Sequence, residues 1–283
     1  MGRVRAWVAV VASSALLAAA GGTASAYGDH QRGASRSGSG VVIQDVTLHV
    51  PGQHRTVSAY VEKPAGRLTR DSAAGVLFLH WLGEIHNDRT EYLGEAVGLA
   101  QRGVVSVLPQ GYFPWVPNPE GTKHDVKLIR QQVAAMERAL NKLAHIHGVD
   151  PKRIAVVGHD YGAMYGSILA NSDHRVSVMV LEAPDALMGN WFAKFWLRLE
   201  GQERDDYLAL FAGLDPVDNT ARLGSHVLFQ WAGEDVFIGQ DVRDAYAASS
   251  PLAQVHLYEH ADHELTDEAR ADRLAFLTAQ LGL

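Results

Sequence analysis

The chain has 283 residues, 47% of them hydrophobic, no cysteine, and a formal net charge of −7. This is enough chain for one well-buried α/β domain. The acidic balance argues against nucleic acid or an anionic membrane as partner, and the missing thiols exclude disulfides, a lipidated cysteine and thiolate metal sites.

Arg3 and Arg5 precede an apolar run over 6–20, and Ala24-Ser-Ala26 follows it. A basic start, a short apolar core and a small-residue cleavage signal read as a secretory leader. The run is too short for a comfortable membrane span. Residues 1–26 are therefore expected to be removed before Tyr27. The protein is expected to be secreted or extracytoplasmic, with no stable membrane insertion. Residues 27–40 are rich in Gly, Ser and charge and read as a flexible linker.

From there the chain alternates. Residues 41–50 and 54–62 show period-two patterning around Pro51-Gly52, which predicts an antiparallel hairpin. A continuous apolar run over 75–80 predicts a strand covered on both faces. A helix is expected over 87–101, capped by Asn87 or Asp88 and ended at Gly103. Residues 104–108 predict a second buried strand. Val126, Ile129, Val133, Met136, Leu140 and Leu143 recur at spacings of three and four, so 125–144 predicts an amphipathic helix. Strands are expected at 154–157, 176–181, 226–231 and 254–258, and helices at 163–170, 240–248 and 266–281. Residues 182–222 break this rhythm. They are too long for a plain connection and carry Trp191, Phe192, Phe195, Trp196, Tyr207 and Phe211, so they read as a small helical cap insertion. The whole pattern predicts one α/β domain over 41–283, a mostly parallel sheet with helices on both faces and an antiparallel start.

The chemistry centres on Gly158-His-Asp-Tyr-Gly162, which ends the 154–157 strand and opens the next helix. Glycines two residues either side of a central residue, between strand and helix, give the geometry of a nucleophile elbow. The central residue is Asp160. An ionised carboxylate needs no base to activate it. Downstream, Asp235 follows a strand and His263 lies in the last strand-to-helix loop, in the order nucleophile, acid, histidine.

These motifs, with Leu79-His-Trp-Leu-Gly83, Trp231-Ala-Gly-Glu-Asp235 and Tyr258-Glu-His-Ala-Asp-His263, resemble the α/β-hydrolase superfamily over residues 41–283. The core is similar to the dienelactone-hydrolase and acyl-peptidase branch. The elbow, with aspartate in place of serine, instead resembles haloalkane dehalogenases and epoxide hydrolases. The resemblance implies the α/β-hydrolase fold. It also implies Asp160 as nucleophile, His263 as general base and Asp235 as the acid that orients it, with Glu182 and Asp185 as rival acids. An oxyanion or leaving-group site is expected at Trp81 and Leu82, with the N–H of Tyr161 opposite. Trp81 and Trp115 are candidate N–H donors to a halide, and Tyr161 and Tyr207 candidate acids for an epoxide oxygen. Trp115, Trp191 and Tyr207 are expected to line the substrate pocket. His80 is expected to hold its loop in shape.

Three functions remain open on the sequence. One is hydrolysis of a small apolar epoxide or alkyl halide through an ester on Asp160. Another is carboxylic ester or lactone hydrolysis of dienelactone type, and the third a non-catalytic binding protein on the same fold. His145 with His147, and His260 with His263, have spacings a metal could use, but no acidic or thiolate cluster accompanies them, so no metal or cofactor is expected. The expected partner is a small-molecule substrate.

Overall fold

In a computed structural model of the chain, residues 35–38, 40–52, 55–82 and 88–283 are described. The expected leader over 1–26 lies outside them, as does most of the expected linker. Part of that linker is structured: Ser35–Gly38 forms β1, paired antiparallel with β2 at the sheet edge.

Nine strands make one sheet. They are β1, β2 (Val41–His49), β3 (Thr56–Pro64), β4 (Ala73–Leu79), β5 (Val105–Pro109), β6 (Val149–His159), β7 (Val176–Glu182), β8 (Val227–Ala232) and β9 (Gln254–Tyr258), in spatial order β1-β2-β3-β5-β4-β6-β7-β8-β9. The first three strands and β5 pair antiparallel, and every pair from β5 through β9 is parallel. Parallel strands buried on both faces require apolar side chains in both directions. β4, β5, β7 and β8 meet this with Val, Leu, Ala, Phe, Met and Trp at most positions.

Among the described residues there are six α-helices: α1 (Leu93–Gln101), α2 (Lys123–Ala144), α3 (Tyr161–Ser172), α4 (Gly201–Ala209), α5 (Gln240–Ser249) and α6 (Asp267–Leu281). Alternate residues of β6 feed two cores. Ile154 and Val156 pack with α2, α3 and the cap aromatics, whereas Ala155 and Val157 pack with α1 and α6. The expected helix over 87–101 begins later, at Leu93. Its N-cap, Tyr92, has no capping side chain, and Asp88 closes only a local turn by accepting from the Thr90 N–H. α2 starts two residues before its expected start. Thr122 accepts the His124 N–H, and Asp125 completes a capping box.

Between β7 and β8 the segment expected as a cap holds a π-helix (Phe192–Leu197), α4 and two short 3₁₀ turns. Glu182 is the last residue of β7 and so belongs to the sheet. Among the described residues no helix is long and apolar enough to cross a membrane.

Candidate active site

The site sits at the carboxyl ends of β4, β6, β7 and β8, where an open parallel sheet leaves its crevice. β6 stops at His159, and Asp160 turns the chain at φ 55°, ψ −123° into α3. A left-handed φ on a residue with a side chain is strained, and the surrounding contacts hold it. A Cβ on Gly158 would come within 2.6 Å of the Ala163 nitrogen, and one on Gly162 within 2.0 Å of the Leu79 carbonyl oxygen. The turn therefore accepts only glycine at both places. Asp160 makes no capping bond to α3, so its carboxylate is not consumed as a helix cap. It is buried, and its Oδ2 has no hydrogen-bond partner among the described residues.

A second anchor brings the distant acid and histidine together. The N–H of Gly233 donates to the Tyr258 carbonyl and that of Glu234 to the Ala261 carbonyl, which laces the end of β8 to the end of β9. A Cβ on Gly233 would lie 2.3 Å from the Glu259 carbonyl oxygen, so this lacing also needs glycine. Across it, His263 Nδ1–H donates to Asp235 Oδ2 at 2.8 Å. The other oxygen of Asp235 accepts the N–H groups of Phe237 and Ile238. His263 Nε2 faces Asp160 Oδ1 at 3.7 Å. The three side chains thus form a line, acid to imidazole to elbow carboxylate, all buried.

Burial alone would lower the pKa of His263. The carboxylates of Asp160 and Asp235 outweigh it and raise the value to about 9. The resting site therefore holds an imidazolium between two carboxylates. Burial also works against the charge of Asp235, but the bond and charge of His263 prevail and hold its carboxyl below the usual range.

The expected rival acids are elsewhere. Glu182 accepts from the Tyr92 hydroxyl and pairs with Arg273, and Asp185 accepts from Leu187 N–H and the Asn190 amide. Neither is a hydrogen-bond partner of His263.

A cavity of about 70 Å³ opens on Asp160 and His263. It has room for roughly five waters' worth of substrate in this arrangement. Trp81, Leu82, Trp115, Tyr161, Trp191 and Phe237 line it, and Phe195 and Trp196 extend the wall toward solvent. Two of these residues carry a buried polar hydrogen. The hydroxyl of Tyr161 and the indole Nε1–H of Trp191 are buried without a partner among the described residues. Their rings meet edge to face at 5.1 Å, and Trp191 also stands edge-on to His263 at 6.1 Å. Burial pushes the Tyr161 phenol far up, so it stays protonated and keeps its O–H to donate.

Of the expected site residues, Tyr207 lies elsewhere, and Trp115 and Trp81 line the cavity with one N–H each already committed. Tyr207 is absent from the cavity lining. It is buried against Phe211, and its hydroxyl donates to Asp125 Oδ2 at 2.7 Å, so it holds α4 on the start of α2. Trp115 lines the cavity, but its indole N–H is committed to the Leu82 carbonyl, so it offers no donor to a leaving group. The backbone N–H of Trp81 is committed to the Glu91 carboxylate and is not free for an oxyanion. The Trp81 ring instead covers His263 at 5.2 Å and His159 at 5.3 Å. His80 does hold its loop: Nδ1–H donates to the Trp81 carbonyl and Nε2 accepts the Gly111 N–H.

The sequence reading did not assign Phe237, Glu91 or His159 to the site. Phe237 lies two residues beyond Asp235, and His159 immediately before Asp160, so adjacency to the motifs was the available signal. Among the described residues no group of three or more His, Asp and Glu could hold a metal ion.

The fold has solved counterparts. An acetyl xylan esterase from Paenibacillus sp. R4 superposes with a TM-score of 0.71 at 16% identity, over 86% of this chain and 85% of that one. A cold-adapted esterase from an Arctic intertidal metagenomic library gives 0.58 at 17%, over 88% and 97%. A Klebsiella pneumoniae protein described as a dienelactone hydrolase gives 0.57 at 18%, over 85% and 98%. The chain has the α/β-hydrolase fold. At these identities the likeness concerns architecture, including the dienelactone-hydrolase-like core. No protein-family model and no curated protein matches the sequence.

Proposed function

We propose that the protein is an α/β-hydrolase with an aspartate nucleophile, which cleaves a small apolar alkyl halide or epoxide through an ester on Asp160. The observation that carries this reading is the elbow carboxylate itself. It is buried, strained into position, unpartnered at Oδ2 and in line with His263 and Asp235. Oδ2 attacks the carbon that bears the leaving group. The carbon–halogen or carbon–oxygen bond breaks, and its electron pair leaves with the halide or epoxide oxygen. Trp191 Nε1–H and the Tyr161 hydroxyl are the free donors for that developing charge.

Ester formation removes the charge of Asp160, one of the two carboxylates that hold the proton on His263. The imidazole pKa falls, the Nε2 proton passes to the opened epoxide oxygen or, when the leaving group is a halide, to solvent, and the neutral Nε2 can then take a proton from water. That water attacks the ester carbonyl carbon. The alcohol leaves, and Asp160 regains its carboxylate with one oxygen from solvent. Asp235 stabilises the imidazolium that forms.

The esterase and dienelactone-hydrolase neighbours favour a second reading, hydrolysis of a carboxylic ester or lactone. A carboxylate that attacks a carboxylic ester forms an anhydride, whereas attack on an alkyl carbon forms an ester that His263 and water can hydrolyse. This supports alkyl over acyl chemistry. A leader at 1–26 would deliver the enzyme outside the cytoplasm. One turnover in heavy-oxygen water tests the proposal. Solvent label in the Asp160 carboxylate is the expected result, and turnover that leaves Asp160 unlabelled would replace the ester with direct attack by water.

A further inference from the structure

His159, the residue before the elbow carboxylate, has an acceptor at each ring nitrogen. Nδ1 lies 2.8 Å from Glu91 Oε1, and Nε2 lies 2.8 Å from the backbone carbonyl oxygen of His263. A carbonyl oxygen cannot donate. Glu91 is itself held as a carboxylate, with its second oxygen accepting the Trp81 N–H. Each nitrogen of His159 must then carry a proton, and a histidine with two N–H groups is a cation. The ring is buried, so the arrangement cannot be relieved by water without opening the site.

This cation lies beside the catalytic imidazole, with ring centroids 5.2 Å apart and Trp81 covering both. We propose that His159 is a permanent imidazolium, fixed by Glu91, which positions the His263 loop and opposes protonation of His263. The inference rests on the reading of His263 as general base. The charged groups facing His159 among the described residues are Glu91 from the segment before α1, His263 from the loop after β9, and Glu182 from β7. Those facing His263 are Asp160, Asp235 and His159. Burial works against the charge on His159, and Glu91 outweighs it and raises the pKa.

The device explains how a histidine between two carboxylates can serve as a base at all. In the resting site two anions hold its proton and one cation repels it. Once Asp160 is esterified, one anion and the cation remain, and His263 releases its proton. His159 is thus a positioning residue that acts through His263. The Glu91 bond to the Trp81 N–H places the Trp81 ring over the same pair.

The charge is measurable without substrate. Nitrogen-15 spectra of the full protein at pH 8 are expected to show both nitrogens of His159 protonated, and a bare nitrogen would overturn the proposal. His159→Gln removes the cation and leaves the Glu91 anion, so the titration midpoint of His263 should rise by about one pH unit or more. Glu91→Gln lets His159 lose its proton and should raise the midpoint by less. An unchanged His263 midpoint in both variants would also overturn the proposal, even if turnover fell, because a merely structural role lowers the rate without moving the titration. The spectra of the unaltered protein decide the matter if neither variant folds. Since these titrations need no turnover, a shifted midpoint with no ester on Asp160 would retain the cation and reject the nucleophile.

Discussion

His263 and Arg273 are both cations buried between two carboxylates, and they are finished differently. Arg273 donates to Glu182, Gln230 and Glu95, and Glu182 also receives the Tyr92 hydroxyl. That cluster is closed: its carboxylates are bonded on both oxygens. His263 lies between Asp235, whose oxygens are fully bonded, and Asp160, which approaches only to 3.7 Å and keeps Oδ2 free in an apolar cavity. Leaving a buried carboxylate oxygen unpaired is costly. The first cluster is satisfied at every carboxylate oxygen, and the second is open at the one atom to which the proposed reaction assigns the attack.

The contrast can be broken most sharply at the two carboxylate partners. Asp160→Asn should lower turnover by about a thousandfold or more. It should change stability little, since a buried carboxylate with one unbonded oxygen is lost together with its pairing to His263. Arg273→Leu should do the reverse. It strands Glu182 and Glu95 without their cation and should cost about 3–5 kcal/mol of stability, read by denaturant unfolding. If Asp160→Asn unfolded the protein instead, the elbow carboxylate would be a structural group like Glu182.

Next in size is the leaving-group side. Trp191→Phe keeps an aromatic ring and removes a buried indole N–H that has no partner among the described residues, and should lower kcat by about a hundredfold. The same change at Trp115 should mainly loosen the Leu82 loop, because that N–H is already committed.

pH separates the clusters further. His263 has a folded pKa of about 9, above its ordinary value near 6.5, so the stability it contributes is complete below about pH 6.5 and is lost as pH rises through 9. Asp160→Asn should shrink that loss and move the His263 midpoint down, as followed by proton NMR. Arg273 carries its charge throughout and should add no slope in this range.

The smallest expected effect is at Tyr207. Tyr207→Phe removes the bond to Asp125 and should cost about 1–2 kcal/mol with kinetics unchanged. A large loss of kcat there would return Tyr207 to the site.

Much of this was readable in the chain. The continuous apolar runs of β4 to β8 announced a sheet buried on both faces, and the glycines at 158, 162 and 233 fixed two turns whose crowding admits no side chain. Asp160, Asp235 and His263 follow from those turns. The uses of the aromatic side chains did not. Tyr207 and Trp115 differ from Tyr161 and Trp191 only in whether a partner stands within reach, and the partners lie 82 and 33 residues away in the chain. The start of α1 was misplaced because Tyr92 carries no capping group, whereas Thr122 and Asp125 announce α2. Glu91 and His159 were illegible as a pair because 68 residues separate them.

The central claim is a covalent bond between Asp160 and the substrate. His263→Gln should still form that ester but fail to hydrolyse it. The variant, incubated with a short alkyl chloride or epoxide that the unaltered enzyme turns over, should show the peptide containing Asp160 heavier by the alkyl or hydroxyalkyl group. A peptide of unaltered mass, from a variant that is folded and binds the same substrate, would contradict the account.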